Sequence, residues 1–492
     1  MTEAPGSPQS LAGYLWHWAV ISPNRPFVSD DTGAGYTYDE TAAQVRALSA
    51  ELGRRALTAG SHVAVLAENS TAWIVAFLGA IASGMVAVPL ATRMTTDDLD
   101  VLLEHADPHV IAVDTAQLPL VGARWHDRLL HLSEPCPPSG NVPPGGDGNA
   151  PACLTYTSGT TSRPKGVLLS NTALLRASET YAGLFHSTPQ THTIVAVPLC
   201  HNTGFVDQLG HVLVAGGSLE AHRRFRADRI AAALQSGACS YFIGVPTMYH
   251  RIIAHLSGTP PCEPAPWLAF GGAHMPAHLL VSLHEQFPRA QLANCYGLSE
   301  ATSITHINFV SAGSSPTDVG VAVAGTLDRI SPSGELLIRS PTTMLGYHRN
   351  PEATAAKLED GWLHTGDLAA RGDDGMVHVY GRVDDVINRG GEKVVPLEVE
   401  EALCAHPCVV EAAVVGLPDD QYGSIVVAAV VTCEPIAPAA LQQFVAASLA
   451  DYKRPAQIVN VDQLPRNENG KLIAGGVRDL IVRGLAARLG QQ

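Results

Sequence analysis

Basic residues are scarce in this 492-residue chain: 31 Lys and Arg stand against 46 Asp and Glu, a formal net charge of −15. That balance excludes the broad basic face that nucleic-acid binding requires. It leaves room for a nucleotide ligand, because a few local donors can hold phosphate inside an acidic protein. Paired cysteines are also missing. None of the nine cysteines forms a C-x-x-C pair, and Cys404 with Cys408 alone is too little for a zinc site, so reduced thiols in a cytoplasmic protein are expected. The start, MTEAPGSPQS, has neither the basic residues nor the apolar stretch of a signal peptide. No internal repeat of fixed period is present. One uncharged run, residues 73–91, is long enough to span a bilayer by hydropathy alone. Gly84 fits a helix C-cap and Pro89 ends a continuing helix, so the run is expected to split into a buried helix and a buried strand, with no membrane span.

What is there is a globular composition, 46% apolar and 16% charged, too long for a single core. Two to four domains or subdomains are the prior at this length, roughly. Short runs apolar on both faces, such as HVAVLAE (from His62), VIAVD (from Val110), TIVAVPL (from Thr193) and YFIGVP (from Tyr241), alternate with helical patterns such as residues 40–57. The alternation predicts α/β layers with largely parallel strands. A Pro/Gly-rich stretch, residues 133–151, reads as a surface loop or linker. From about Gly320 the strands become shorter and hairpin-like. After Asp384 a compact tail follows, with its own helix (PLEVEEALCAH, Pro at N1) and its own strands.

The stretch TYTSGTTSRPKGVLLSN begins at Thr155. A phosphate loop needs unhindered backbone N–H groups, hydroxyl donors and a nearby cation. Thr157, Ser158, Gly159, Thr160, Thr161 and Lys165 offer all three, after an apolar run that places them at a strand's carboxyl end. It is not a Walker loop, since Pro164 precedes the Lys. On composition alone a solvated Ser/Thr loop reads equally well.

Four further stretches follow in order: NCYGLSEAT (from Asn294), GWLHTGDLA (from Gly361), YGRVDDVINRGGEKVVPLEVEEAL (from Tyr380) and LPRNENGKL (from Leu464). With the first, they closely resemble the adenylate-forming family of acyl-CoA synthetases, peptide-synthetase adenylation domains and luciferases. The resemblance runs from about Tyr36 to the C-terminus. It implies a large multi-subdomain N-terminal domain with α/β layers and a small barrel-like β part (residues 1–382), a hinge (383–385, centred on Asp384) and a small mobile α+β C-terminal domain (386–492). It implies ATP, Mg²⁺ and CoA as cofactors, and a two-step reaction in which a carboxylic acid is activated as acyl-adenylate and then passed to a thiol.

The resemblance also assigns roles. The loop 157–165 meets the β- and γ-phosphates. Glu300 is the magnesium-side carboxylate, and Mg²⁺ suits a carboxylate plus substrate phosphates. Lys471 is the mobile catalytic lysine, a point charge on a flexible stem. Tyr296 stacks on adenine, with Gly297 and Ser299 beside it. Gly271, Gly272 and Ala273 lie against the adenine and the acyl group. Asp367 and Arg382 hold the ribose. Gly390 and Gly391 border the tunnel for a pantetheine arm. His201 stands at the acyl pocket between the two steps, and Phe205, Gln208, Val245, Phe270, Gly272 and Thr302 complete that pocket. Such a wall suits an aryl, alicyclic or medium-sized acid. The chain departs from the family pattern at Ser162 (more often Gly), at Ser299 (more often Thr) and at Thr203, where the peptide-synthetase branch places an Asp for an α-ammonium. The last change speaks against an α-amino acid, although Asp207 lies close by. Three functions remain in view: an acid–CoA ligase, an acyl-AMP ligase that loads a separate carrier protein's pantetheine thiol, and a catalytically silent nucleotide-binding sensor.

Overall fold

The computed structural model describes residues 8–134, 136–140, 147–157, 165–311, 315, 317–466 and 472–489. Two sheets dominate it. A seven-stranded sheet is built around parallel strands His62–Leu66, Val86–Pro89 and Val110–Val113, all buried on both faces. In a larger sheet the parallel strands His192–Val195, Ser218–Ala221, Tyr241–Gly244, Trp267–Gly271 and Gln291–Gly297 lie side by side. Strands that are apolar on both faces are those that helices can cover on both sides. Helix Tyr38–Arg54, for example, starts at a full capping box between Thr37 and Glu40.

The uncharged run resolves as expected. It forms helix Thr71–Ala82 and strand Val86–Pro89, with Gly84 in the left-handed region (φ 71°) between them. No helix among the described residues is long and apolar enough to cross a membrane. From Ile304 onwards the large sheet turns antiparallel, through Ile304–Val310, Asp318–Ala322, Val377–Arg382 and Trp362–Arg371. This part is the hairpin-rich segment read from the sequence, and it continues the large sheet.

The last part has separate sheets. Strands Val409–Asp419, Gly423–Thr432 and Gln457–Asn460 form one, and the hairpin Ile387–Arg389/Glu392–Val394 another. Helix Pro396–Cys404 begins with Pro at its first turn. Its core, around Val399, Leu403, Val426 and Ala428, is distinct from those of the larger part. A large N-terminal domain and a smaller C-terminal one are therefore both present. They touch where His274 Nε2 lies 3.3 Å from Glu401 on helix Pro396–Cys404.

Candidate active site

The strand Gln291–Gly297 ends where the parallel strands of the large sheet end, and there the chain brings distant segments together. Tyr296, its next-to-last residue, donates its hydroxyl to Asp367 Oδ2 at 2.5 Å. Asp367 lies opposite Arg382 in the Trp362–Arg371/Val377–Arg382 ladder, and Arg382 reaches its Oδ1 at 2.9 Å. Asp367 is only 7% exposed, so a phenol and a guanidinium, one on each oxygen, offset the loss of water. Burial, and secondarily the Asp367 charge, hold the Tyr296 phenol well above its ordinary pKa, so it stays a donor. The three residues expected at the ribose and adenine thus form one hydrogen-bonded unit.

Four residues beyond Tyr296, Glu300 sits in the short 3₁₀ turn Ser299–Ala301. Its Oε1 accepts from the Tyr347 hydroxyl at 2.6 Å, and its backbone carbonyl accepts from Met344 N at 2.8 Å. Tyr347 belongs to the short strand Gly346–Tyr347, paired with strand Lys165–Ser170, and Lys165 Nζ lies 5.8 Å from the Tyr347 ring centre. Lys165, Tyr347 and Glu300 therefore share one end of the site. Strand Pro151–Thr157 pairs Thr157 with Lys165, so the expected phosphate loop joins two antiparallel strands at a carboxyl edge. The Thr157 side chain, Ser158, Gly159, Thr160, Thr161, Ser162 and Lys471 lie outside the described residues.

Close backbone approach fixes the shape between these ends. A Cβ at Gly297 would fall on the Ser303 carbonyl, so only glycine fits. Thr302 is fully buried at φ 67°, a strained conformation for a β-branched residue. Two bonds hold it there: its hydroxyl donates to Thr342 O at 2.6 Å, and its carbonyl accepts from the Asn202 side chain. Gly271 closes strand Trp267–Gly271, Gly272 follows with φ 75°, and Ala273 leads to His274 at the domain contact.

Where the acyl group is expected, His201 stands at the entry to helix Asn202–Gly204. Its Nε2 is buried and no described residue partners it; burial pushes its pKa down to about 4, so the ring is neutral at physiological pH. Val245 precedes helix Pro246–Leu256. Phe205, Gln208 and Phe270 take up core positions. Phe205 packs on Phe77, Phe270 on Tyr249, and Gln208 accepts from the Thr193 hydroxyl while donating to Thr203 O. Asp207, in the same π-helical turn, is buried and bonded to the Ser303 hydroxyl; desolvation lifts it to about 7.

The residues expected at a pantetheine tunnel in the thioester-forming pose lie in the C-terminal domain. Gly390 and Gly391, with φ 61° and 94°, make the two-residue turn of the C-terminal hairpin. Gly390 N bonds Tyr422 O, and Arg389 binds the carbonyls of Asp451 and Tyr452. Their recorded contacts lie within the C-terminal domain. Asp384, in turn Val383–Asp385, is exposed.

Sequence reasoning missed Tyr347, Asn202 and Lys357. Lys357 Nζ bonds Thr365 O at 3.2 Å beside Glu300, Asp367 and Arg382, and burial depresses its pKa. It lies at the end of helix Pro351–Lys357, where a surface lysine would be read.

A single carboxylate, rather than a cage, is the donor set that Mg²⁺ accepts when substrate phosphates supply the remaining oxygens. Among the described residues no group of three His, Cys, Asp or Glu could hold a metal alone. Glu300 fits that role.

Residues 15–348 match the AMP-binding enzyme family, and residues 398–471 its C-terminal domain. Feruloyl-CoA synthase from Amycolatopsis is 30% identical over 492 aligned residues, spanning 96% of this chain and 99% of the relative. ATP-bound MatB from Rhodopseudomonas palustris superposes with a TM-score of 0.88 at 27% identity, over 96% and 99% of the two chains. The o-succinylbenzoate CoA synthetase of Bacillus subtilis, holding its acyl-adenylate, gives 0.84 at 25% identity, over 94% and 97%. The chain belongs to the AMP-binding, adenylate-forming enzyme family and is an acid–thiol ligase of that class.

Proposed function

We propose that this protein joins a carboxylic acid of aryl, alicyclic or medium size to CoA, in two steps. In the first, a carboxylate oxygen attacks the α-phosphorus of ATP and pyrophosphate leaves. In the second, the CoA sulfur attacks the carbonyl carbon of the acyl-adenylate, AMP leaves, and the thiol proton passes to solvent. The observation that carries this reading is the convergence of Tyr296, Asp367 and Arg382 with Glu300, Tyr347 and Lys165 along one sheet edge.

Each group has a physical task. Asp367 and Arg382 offer an acceptor and a donor to the ribose hydroxyls, and the Tyr296 ring gives adenine an apolar face. Lys165 offsets the phosphate charge that repels the incoming carboxylate. Mg²⁺ bound at Glu300 would neutralise phosphate oxygens, and the Tyr347 hydroxyl orients that carboxylate. Lys471 would bridge the acid and the α-phosphate, and rotation about Asp384 would exchange it for the Gly390–Gly391 hairpin in the second step.

The acid is argued from charge. Of the residues expected around the acyl group that do not take core positions, His201 is neutral, and Val245 and Gly272 carry no charge. A second carboxylate would be left without a counter-ion there. This favours an uncharged acyl body, the kind named in feruloyl-CoA synthase, over the short dianion named in an Arabidopsis thaliana oxalate–CoA ligase 29% identical to this chain. The pattern of free cysteines supports a cytoplasmic setting.

The test incubates purified protein with ATP, Mg²⁺ and a panel of aryl, alicyclic, aliphatic and dicarboxylic acids, with and without CoA. Pyrophosphate and acyl-CoA are followed by mass. Aryl or alicyclic acids are expected to release pyrophosphate and give acyl-CoA. Adenylate without a CoA product would move the acceptor to a carrier-protein thiol. ATP binding without turnover of any acid would favour the silent sensor.

A further inference from the structure

One corner of the C-terminal domain gathers two thiols that the ligase reaction does not use. Among the described residues only Cys433 is an exposed cysteine; Cys153, Cys200, Cys239, Cys262 and Cys295 are buried. Burial pushes the Cys153, Cys239 and Cys295 thiols up, and buried thiols of that kind are inert. Cys433 directly follows strand Gly423–Thr432, and Cys408 directly precedes strand Val409–Asp419. These strands pair antiparallel with Val409 opposite Thr432, so the next step of the ladder sets Cys408 opposite Cys433. A backbone bond from Cys433 N to Cys408 O at 2.9 Å fixes that step.

Opposed residues of an antiparallel pair hold their Cα atoms about 4.5–5.5 Å apart. That lies inside the window of roughly 4.4–6.8 Å that a disulfide accepts. Their side chains also leave the same face, and here the two thiols are within hydrogen-bonding reach of each other. Cys408 Sγ donates to Glu434 Oε1 at 3.0 Å, and this bond lifts the Cys408 pKa to about 11, so it stays a protonated thiol. The Cys408 backbone N–H donates to His406 Nδ1 at 3.1 Å, and the His406 ring meets Phe444 edge-on at 4.8 Å. Local bonds therefore hold the corner in shape. Cys404, four residues before Cys408, is turned to the Ala412 backbone instead.

We propose that Cys408 and Cys433 form a reversible oxidation site, closing a disulfide across the open end of this hairpin when hydrogen peroxide is the oxidant. The exposed Cys433 sulfur attacks one peroxide oxygen, the O–O bond breaks, and one oxygen leaves as water, which gives a sulfenic acid. The Cys408 sulfur then attacks the Cys433 sulfur. The S–O bond breaks, and the Cys408 proton passes through the Glu434 carboxylate to the leaving hydroxide, which departs as the second water. Two thiols are oxidised and one peroxide is reduced. The hairpin's other end is already closed by the turn between Asp419 and Gly423, so the new bond fastens both ends. A thiol reductant reverses the step by exchange.

The test treats the intact protein with hydrogen peroxide, alkylates the remaining thiols after denaturation, and reads the peptides by mass with and without dithiothreitol. Cys408 and Cys433 are expected to lose alkylation together, as one cross-linked peptide pair from a chain that runs as a monomer without reductant. Dithiothreitol should restore both. Loss at this pair should outpace loss at the five buried cysteines by about tenfold or more. In Cys408→Ser, Cys433 should instead carry a sulfenic acid that dimedone traps. An oxidised Cys433 beside a fully alkylated Cys408 in the unmodified protein would overturn the site. So would a cross-link between two copies through Cys433, oxidation of the buried cysteines at an equal rate, or no loss of either thiol.

Discussion

The two ends of this chain present their functional residues differently. In the N-terminal domain, Tyr296, Asp367 and Arg382 come from strands far apart in sequence and already bond one another, as do Tyr347 and Glu300. In the C-terminal domain, Gly390 and Gly391 are occupied with their own hairpin, tied to Tyr422. One half of the site is organised before substrate arrives. On the proposed reading, the other half would be brought to it. Preorganised groups suit the nucleotide, which both steps need in the same place, whereas a mobile domain suits groups needed in one step at a time.

The comparison is broken most severely by removing the centre of the organised half. Asp367→Ala leaves Arg382 and the Tyr296 hydroxyl without their shared acceptor, and the KM for ATP is expected to rise about 10–100-fold, from the loss of two hydrogen bonds to a charged group. An unchanged KM in steady-state assays would remove Asp367 from the ribose. Gly297→Ala drives a methyl into the Ser303 carbonyl, and thermal unfolding should report a loss of about 1–3 kcal/mol together with weakened ATP binding. Tyr347→Phe removes one hydrogen bond from Glu300. The Mg²⁺ concentration for half-maximal ATP binding, read by calorimetry, should rise about tenfold, while ATP binding at saturating Mg²⁺ recovers.

The smallest effect concerns pH. His201 has a folded pKa of about 4, below the ordinary 6.5 of the unfolded chain. Its neutral ring costs nothing above pH 6.5, and as pH falls from there towards 4 the unfolded chain takes up the proton first, so this stabilising share is lost. His201→Phe should flatten that part of the acid-side fall in unfolding temperature. An activity profile whose acid limb near 6.5 disappears in the same variant would instead mean that the ring titrates in the working enzyme.

Much of this was legible in residues close together in sequence. The run at residues 73–91 announced its own break through Gly84 and Pro89, and the strand ending at Thr157 followed from the apolar run before it. Tyr296, Glu300, Asp367 and Arg382 were named from motifs, and the fold places them together. What stayed hidden depends on partners far along the chain. Tyr347 lies 47 positions from the Glu300 it touches, and nothing local distinguishes it from a core tyrosine. Lys357 looks like a surface lysine at a helix end until the sheet folds Thr365 beneath it. Phe205 and Phe270 were expected along the acyl pocket. They reach core neighbours, Phe77 and Tyr249, because apolar side chains near a site serve packing as readily as binding. Asp207 sits in a buried π-helical turn held by the Ser303 hydroxyl, a burial that no local pattern around it signals.

The division between an organised half and an arriving half is tested most directly by measuring both half-reactions in Lys471→Ala and Gly391→Trp. Adenylation is read by acid-dependent ATP–pyrophosphate exchange, and thiol transfer by acyl-CoA formed from a supplied acyl-adenylate. The account predicts opposite losses: Lys471→Ala loses adenylation by a factor on the order of 10²–10³ and keeps transfer, whereas Gly391→Trp keeps adenylation and loses transfer. Equal loss of both half-reactions in Lys471→Ala, or normal acyl-CoA formation by Gly391→Trp, would contradict it.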